Sequence, residues 1–290
     1  MRVLLSILML TFFVSCSKKT FVEDKVFAGG VHASAWKLNK GEQIYKEYCM
    51  ACHGVKGDGK GPAHKGMKVP PRDFTLGIYK FGKITTGELP HDRHFYDILK
   101  YGLHGTAMLP WDLTEGQMDA VVQYIKTFAP KVWEGKDKKL GAEILPSADP
   151  FGEAHRSAAI QKGKEIYHGV ANCQSCHRGY VSLEEFSGIN KKINGEGVAE
   201  LDADFYKVKP QETEYGYLSI PPDFTWDHVR SASTVEELYV RLAAGVGGTA
   251  MPAWKDTITD EEIWAVAYYV KSLMDVKDTP ERKTLMSKLK

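Results

Sequence analysis

Cys49-Met50-Ala51-Cys52-His53 and Cys173-Gln174-Ser175-Cys176-His177 set two thiols and an imidazole in the same order at two points of one chain. Thiols three residues apart lie about one helical turn from each other, so both can add to the vinyl groups along one edge of a porphyrin. The adjoining histidine is then held beneath the ring with a nitrogen toward the iron. Three other uses of paired cysteines compete. Zinc ribbons space two such pairs by about 15–20 residues, far closer than here, and have no need of the histidine. A thioredoxin-like redox pair belongs to a βαβ pattern, which is absent. Disulfides are open to an exported chain but leave the repeated histidine unexplained. The pattern points to covalent haem attachment, twice.

An iron held by histidine on one side has a further position to fill. Gly105-Thr106-Ala107-Met108 recurs as Gly248-Thr249-Ala250-Met251, and Trp111 and Trp254 follow each Met at the same distance. A thioether is soft and neutral, so it favours ferrous iron and raises the reduction potential. The small neighbours let backbone and sulfur come close to a ring. Met67, Met118 and Met274 read as ordinary core filler. His64 and His104 rival Met108 for the first iron. The second half, however, has Gly247 where His104 would align, and only residues such as His228 could serve there. That asymmetry argues against paired histidines as the common design, and His91, His94 and His104 read as surface or loop residues.

The elements that position these groups recur as well. "KGEQIYKEYCMACH" (40–53) returns as "KGKEIYHGVANCQSCH" (162–177), with two extra residues before the first Cys. "PPRDFT" (70–75) returns as "PPDFT" (221–225), and "LTEGQMDAVVQYIKTF" (113–128) as "ITDEEIWAVAYYVKSL" (258–273). Four landmarks in one order describe a tandem duplication. Each unit opens and closes on a helix. Thr114-x-x-Gln117 and Thr259-x-x-Glu262 are capping boxes that start the closing helices. Behind them Met118, Val121, Val122 and Ile125, and then Ile263, Val266, Ala267 and Val270, recur on one helical face. The stretches between show no strand alternation; "FTLGIYKFG" (74–82) comes nearest and reads as loop. The fold class is all-α, with loops that need something to wrap around. The charged, Gly- and Pro-containing segment 131–157 reads as a linker.

The remaining cysteine, Cys16, stands apart. Met1-Arg2 leads into an apolar run from Val3 to Val14, well short of the roughly 20 residues of a membrane span, and then Ser15-Cys16-Ser17. This is a secretory pattern. "FVSC" resembles the bacterial lipobox, apart from Phe13, which implies a signal peptide over 1–15 and a lipid on Cys16, with 16–37 as tether. A net charge of +1 with 43% hydrophobic residues carries no basic excess for nucleic acid.

Taken together, the chain resembles the class I c-type cytochromes in a tandem di-haem form. The resemblance implies two cytochrome c domains, 38–130 and 158–275, each a small helical bundle around a covalent haem, with a tail at 276–290. It implies axial pairs His53/Met108 and His177/Met251, and a Pro62 carbonyl that accepts the ring N–H of His53. The second unit has no Gly-Pro after His177, so the partner of that ring is open. An insertion at about 178–220, rich in Asp and Glu, reads as a solvated loop or a docking face for a basic redox partner. The implied role is single-electron transfer between redox proteins on the periplasmic side of a membrane. A di-haem peroxidase with one open iron is the alternative, and the duplicated Met argues against it.

Overall fold

The computed structural model describes residues 19–289, so Cys16 and the signal peptide expected over 1–15 lie outside the described residues. The regular secondary structure of the described chain is helical apart from one small hairpin, in which β1 (Lys25–Phe27) pairs antiparallel with β2 (Val31–Ala33). The first half then carries α1 (Ala35–Ile44), α2 (Met50–His53), α3 (Asp92–Tyr101), α4 (Glu115–Lys126) and α5 (Pro130–Trp133). The second carries α6 (Arg156–His168), α7 (Leu183–Asn194), α8 (Val235–Ala244), α9 (Asp260–Asp275) and α10 (Pro280–Lys288). No described helix is long and apolar enough to cross a membrane.

Each half is organised by one helix crossing, α1 over α4 and α6 over α9. Bare backbone at the crossing is the cause. A methyl group on Gly41 would fall 2.0 Å from the Ala120 carbonyl oxygen, and one on Gly163 would fall 2.0 Å from that of Ala265. With that close approach, Tyr45 packs on Tyr124 and Tyr167 on Tyr269, ring centroids 5.3 and 5.5 Å apart. Both capping boxes form as their sequences require. Two further boxes, Ser182/Glu185 and Thr234/Glu237, start α7 and α8.

Over their described residues, the segments read as tether, linker and tail are folded structure. Phe27, Ala28 and Ala33 are fully buried in the first core. Burying a side chain such as Phe27 stabilises by about 1.5–3 kcal/mol, which a free tether would forgo. Trp133 is fully buried in the same core, and Ile144 belongs to the second. Lys126 is also fully buried, held by an ion pair of 2.6 Å to Asp92. At the other end, Leu285 and Met286 of α10 pack on the second core, and Arg282 Nε donates to the Thr225 carbonyl at 3.0 Å. The acidic insertion is in part the helix α7, with Ile189 buried.

The halves meet through equivalent surfaces. Ile78 and His228 each stand four residues beyond the Phe of the Pro-Pro motif. A Cβ on Gly248 would lie 2.7 Å from Ile78, and one on Gly105 would lie 3.5 Å from His228. Each Met-bearing loop therefore rests on the other half, as in an isologous contact between two copies. Backbone bonds add to this seam, from Gly247 N–H to the Lys80 carbonyl (3.1 Å) and from Thr86 N–H to that of Ala244 (2.9 Å).

Candidate haem-binding sites

The two Cys-x-x-Cys-His motifs reach their places by different routes. In the first half α1 passes through a π-helical turn, Tyr45–Cys49, directly into α2. In the second, α6 stops at His168, Asn172 takes a left-handed conformation (φ 47°), and Cys173–Ser175 form a 3-10 turn. The two extra residues are absorbed there. His168 fills the break: its Nδ1 faces the Lys164 carbonyl at 2.9 Å and its Nε2 accepts from Tyr180 N–H at 3.1 Å. The end point is nonetheless the same. Tyr45 Oη donates to the Gly54 carbonyl (2.7 Å) and Tyr167 Oη to that of Arg178 (2.9 Å), in each case the residue after the histidine.

Cys49, Cys52, Cys173 and Cys176 are all free thiols. The first of each pair packs on the core of its own half, and burial pushes the thiols of Cys49 and Cys173 up to about 12. They are therefore poor thiolates, unlike cysteines built for disulfide exchange.

Both histidine rings are held in one way. His53 Nδ1 donates to the Arg72 carbonyl at 3.0 Å, and His177 Nδ1 to the Pro222 carbonyl at 3.4 Å. A carbonyl can only accept, so the hydrogen sits on Nδ1 and Nε2 presents a lone pair. Phe74 stacks on His53 at 4.5 Å and Phe224 on His177 at 4.8 Å, each tilted by 20°. Burial lowers the pKa of His53, and that of His177 to about 4, keeping both rings neutral as a metal ligand must be.

Arg72 and Pro222 are the same position of the repeated PPRDFT and PPDFT motif, the residue before its Asp. This corrects the assignment of Pro62, which is exposed at the start of a 3-10 turn. The glycine-rich stretch folds back on the helix end, with Gly59 N–H bonded to the His53 carbonyl and Gly61 N–H to that of Cys52. The chain returns beneath the imidazole only at 70–74. In both motifs the Asp carboxylate accepts the Thr N–H two residues on, at 2.8 Å for Asp73 and 3.0 Å for Asp223, which fixes the turn.

The two Met loops also coincide. Thr106 Oγ1 donates to the Leu103 carbonyl (2.7 Å) and accepts Met108 N–H (3.1 Å). Thr249 Oγ1 does the same with Val246 (2.7 Å) and Met251 (3.2 Å). Leu103 N–H and Val246 N–H close the loops on the Met carbonyls, at 2.8 and 3.1 Å. Gly102 and Gly245 enter them with φ of 69° and 73°, and a Cβ on Gly102 would meet the Met108 carbonyl at 2.7 Å. The repetition of Thr was visible in the sequence; its part in the loop was not read from it. Met108 and Met251 each pack on the apolar cluster that also carries the first Cys of their half.

The rival histidines are engaged elsewhere. His64 faces the Gly61 carbonyl (2.8 Å), and His228 lies 3.2 Å from Lys277 Nζ. His104 is exposed as expected, whereas His94 is buried on α3 with Nε2 3.1 Å from Glu143. Among the described residues no cluster of three or more His, Cys, Asp or Glu could hold a bare metal ion. What each half offers is a neutral imidazole with an uncommitted Nε2, two free thiols and a thioether against one apolar cluster. That donor set fits haem c.

The chain matches, at residues 37–125 and again at 158–270, the family described as cytochrome c oxidase, cbb3-type, subunit III. It belongs to this family of c-type cytochromes and is a haem c electron-transfer protein. Among solved structures it is similar to a chain of the Kuenenia stuttgartiensis reducing HAO-like protein complex, with 31% identity, 81% of this chain and 95% of that chain covered, and a TM-score of 0.62. No curated protein matches the sequence.

Proposed function

We propose that the protein holds two haem c groups and carries single electrons through them between redox proteins at the periplasmic face of a membrane. Cys49, Cys52 and His53, with Met108 as the second axial ligand, would hold the first. Cys173, Cys176 and His177, with Met251, would hold the second. Bound haem supplies the one-electron ferric/ferrous couple. The observation that carries this reading is the matched support in both halves: the imidazole N–H on the motif carbonyl, the stacked Phe and the Thr-braced Met loop. These contacts fix the ligands before any electron arrives. The match to a chain from a multi-protein complex supports a redox protein as partner, and a lipid on Cys16 would keep the protein at the membrane.

Optical spectroscopy of the purified holoprotein tests the ligands. Two covalent haems are expected, with a sulfur-to-iron charge-transfer band in the ferric form. Met108→Ala and Met251→Ala should each remove about half of that band. Carbon monoxide uptake by the reduced wild-type protein would instead expose an open iron and favour an enzyme. Mass analysis of the mature N-terminus, wild type against Cys16→Ser, tests the anchor.

A further inference from the structure

Two apolar side chains stand out from the first half where its N-terminal segment meets α1. Val22 is 82% exposed and Trp36 is 73% exposed. The segment is fastened along the helix at two levels. At one, Asn39 Oδ1 accepts the N–H groups of Thr20 (3.0 Å) and Phe21 (3.1 Å), and its Nδ2 donates to the Phe21 carbonyl (2.7 Å). One turn earlier in the helix, the Asp24 carboxylate accepts Ala35 N–H at 2.8 Å. Val22 falls between these two ties on the segment, and Trp36 falls between the same two on α1, so they lie level with each other. Phe21 packs edge-on against Tyr124 with ring centroids 6.0 Å apart, which joins the segment to the helix crossing. Lys19 and Lys40 are exposed here together with Glu23 and Asp24, so the face is close to neutral.

These ties shorten the link to Cys16. Thr20, the first tied residue, stands four residues beyond it, and four residues span at most about 14 Å. The whole of 16–37, left free, would reach about 70 Å. Single exposed apolar residues are ordinary on a protein surface. A tryptophan level with a valine, within so short a reach of an anchor, is not scattered. Indole favours the boundary between membrane and water, where its ring sits at headgroup level.

We propose that Val22 and Trp36 form a membrane-docking face, seated in the phospholipid headgroup layer and held there by the short link to a lipid on Cys16. The inference rests on the anchor reading above. Because the face is close to neutral, apolar burial and the short link carry the docking, and a zwitterionic surface suffices. The first half then sits on the membrane in one attitude, since the docked segment is fastened to α1 and through Phe21 to α4. A redox partner in the same membrane would meet it in that one orientation.

The test is radiolytic hydroxyl-radical footprinting, read peptide by peptide, of the lipidated holoprotein on vesicles of phosphatidylcholine and phosphatidylethanolamine. Cys16→Ser holoprotein in solution is the comparison. Burying one indole favours the docked state by about tenfold, so Trp36 oxidation should slow by about that factor on vesicles. Trp226, 57% exposed in the second half, should react as before. Val22→Asp should return most of the Trp36 reactivity while the protein stays on the vesicles. Equal Trp36 reactivity on and off vesicles, or equal slowing of Trp226, overturns the face. Protection found only in native membranes that retain their proteins would assign the face to a protein partner and overturn it too. Mass analysis of Cys16 reads the anchor separately, and a Cys16 without lipid defeats that reading. The face is then measured on holoprotein coupled through Cys16, the one thiol left free by attachment of both haems, to a maleimide lipid in the same vesicles.

Discussion

The two halves support the same imidazole with different chemistry. In the first, the N–H of Phe74, the residue stacked on His53, donates to the Gly57 carbonyl at 2.7 Å. In the second, the N–H of Phe224 donates to the Tyr180 hydroxyl at 2.8 Å, and that hydroxyl donates in turn to Asp223 at 3.0 Å. One half uses backbone drawn into place by a glycine-rich loop; the other uses a buried tyrosine braced through His168. A duplicated site can therefore hold its ligand geometry constant while the scaffold beneath it is rebuilt. What was kept is whatever touches the ligands, and what diverged lies one contact further out.

The comparison breaks most sharply where the halves are most alike. Gly41→Ala and Gly163→Ala would each drive a methyl group into a backbone carbonyl, which no rotamer change relieves. Each should cost about 3 kcal/mol or more, at the upper end for overpacking. Chemical unfolding should show equal losses, each confined to its own half. Unequal losses would mean that the two crossings are not equivalent.

Acid should separate the halves once His168 is replaced. His168 is 1% exposed, and burial lowers its pKa to about 4, against about 6.5 in the unfolded chain. Between those values the unfolded state binds the extra proton, so stability is full above pH 6.5 and falls as pH drops toward 4. The loss reaches roughly 3 kcal/mol at about 1.4 kcal/mol per pH unit. In the first half burial pushes His94 down to about 4 as well, and its Nδ1 likewise accepts a backbone N–H, from Lys83. Unfolding measured from pH 7 to 4 should thus weaken both halves, and His168→Gln should separate them by flattening the slope of the second alone. An unchanged slope would remove His168 from the account.

Smaller, and specific to one side, is the removal of a hydroxyl. Tyr180→Phe leaves the buried Phe224 N–H unpaired, at a cost of about 1–3 kcal/mol, and loosens the stack on His177. The first half has no side chain to delete at that place. Gly57→Ala is its counterpart, strained by a φ of +70° and by the Phe128 ring 2.6 Å from the new methyl. Thermal melts followed at the haem absorbance should place each loss in its own half, and a loss in both would show that the seam transmits it.

How much of this was legible follows from the range of the contacts. Local patterns were readable: the thiol and imidazole spacing and the capping boxes of α4 and α9 each depend on residues within a few turns. The His53 acceptor was not. It lies on a segment that returns only after the Gly-rich loop, and the assignment to Pro62 followed proximity in sequence. The signal was nevertheless present, since PPRDFT and PPDFT recur and were recognised as landmarks without a role. Folding of 19–34 on the first core escaped for a similar reason, because Phe27 and Ala33 find partners only in three dimensions. The helices α7 and α8 carried readable signals, Ser182-x-x-Glu185 and Thr234-x-x-Glu237, in stretches taken for loop.

The smallest expected effect sharpens the comparison from the conserved side. Thr106 and Thr249 make the same pair of bonds, to the carbonyl three residues back and from the N–H of the Met, with distances equal to within 0.1 Å. Thr→Val keeps the shape and removes both bonds, so each substitution should cost about 1 kcal/mol. Its reach is greater than its energy, because this loop sets the place of the Met backbone and so of its sulfur. Thr106→Val and Thr249→Val should each weaken the charge-transfer band of one centre, by equal fractions, while leaving the haem count unchanged. Equal responses here beside unequal ones at Tyr180 would locate the divergence of the halves behind the histidine and not at the methionine. Unequal responses would mean that the second loop is held by the Tyr215 bond to Gly247, which the first lacks.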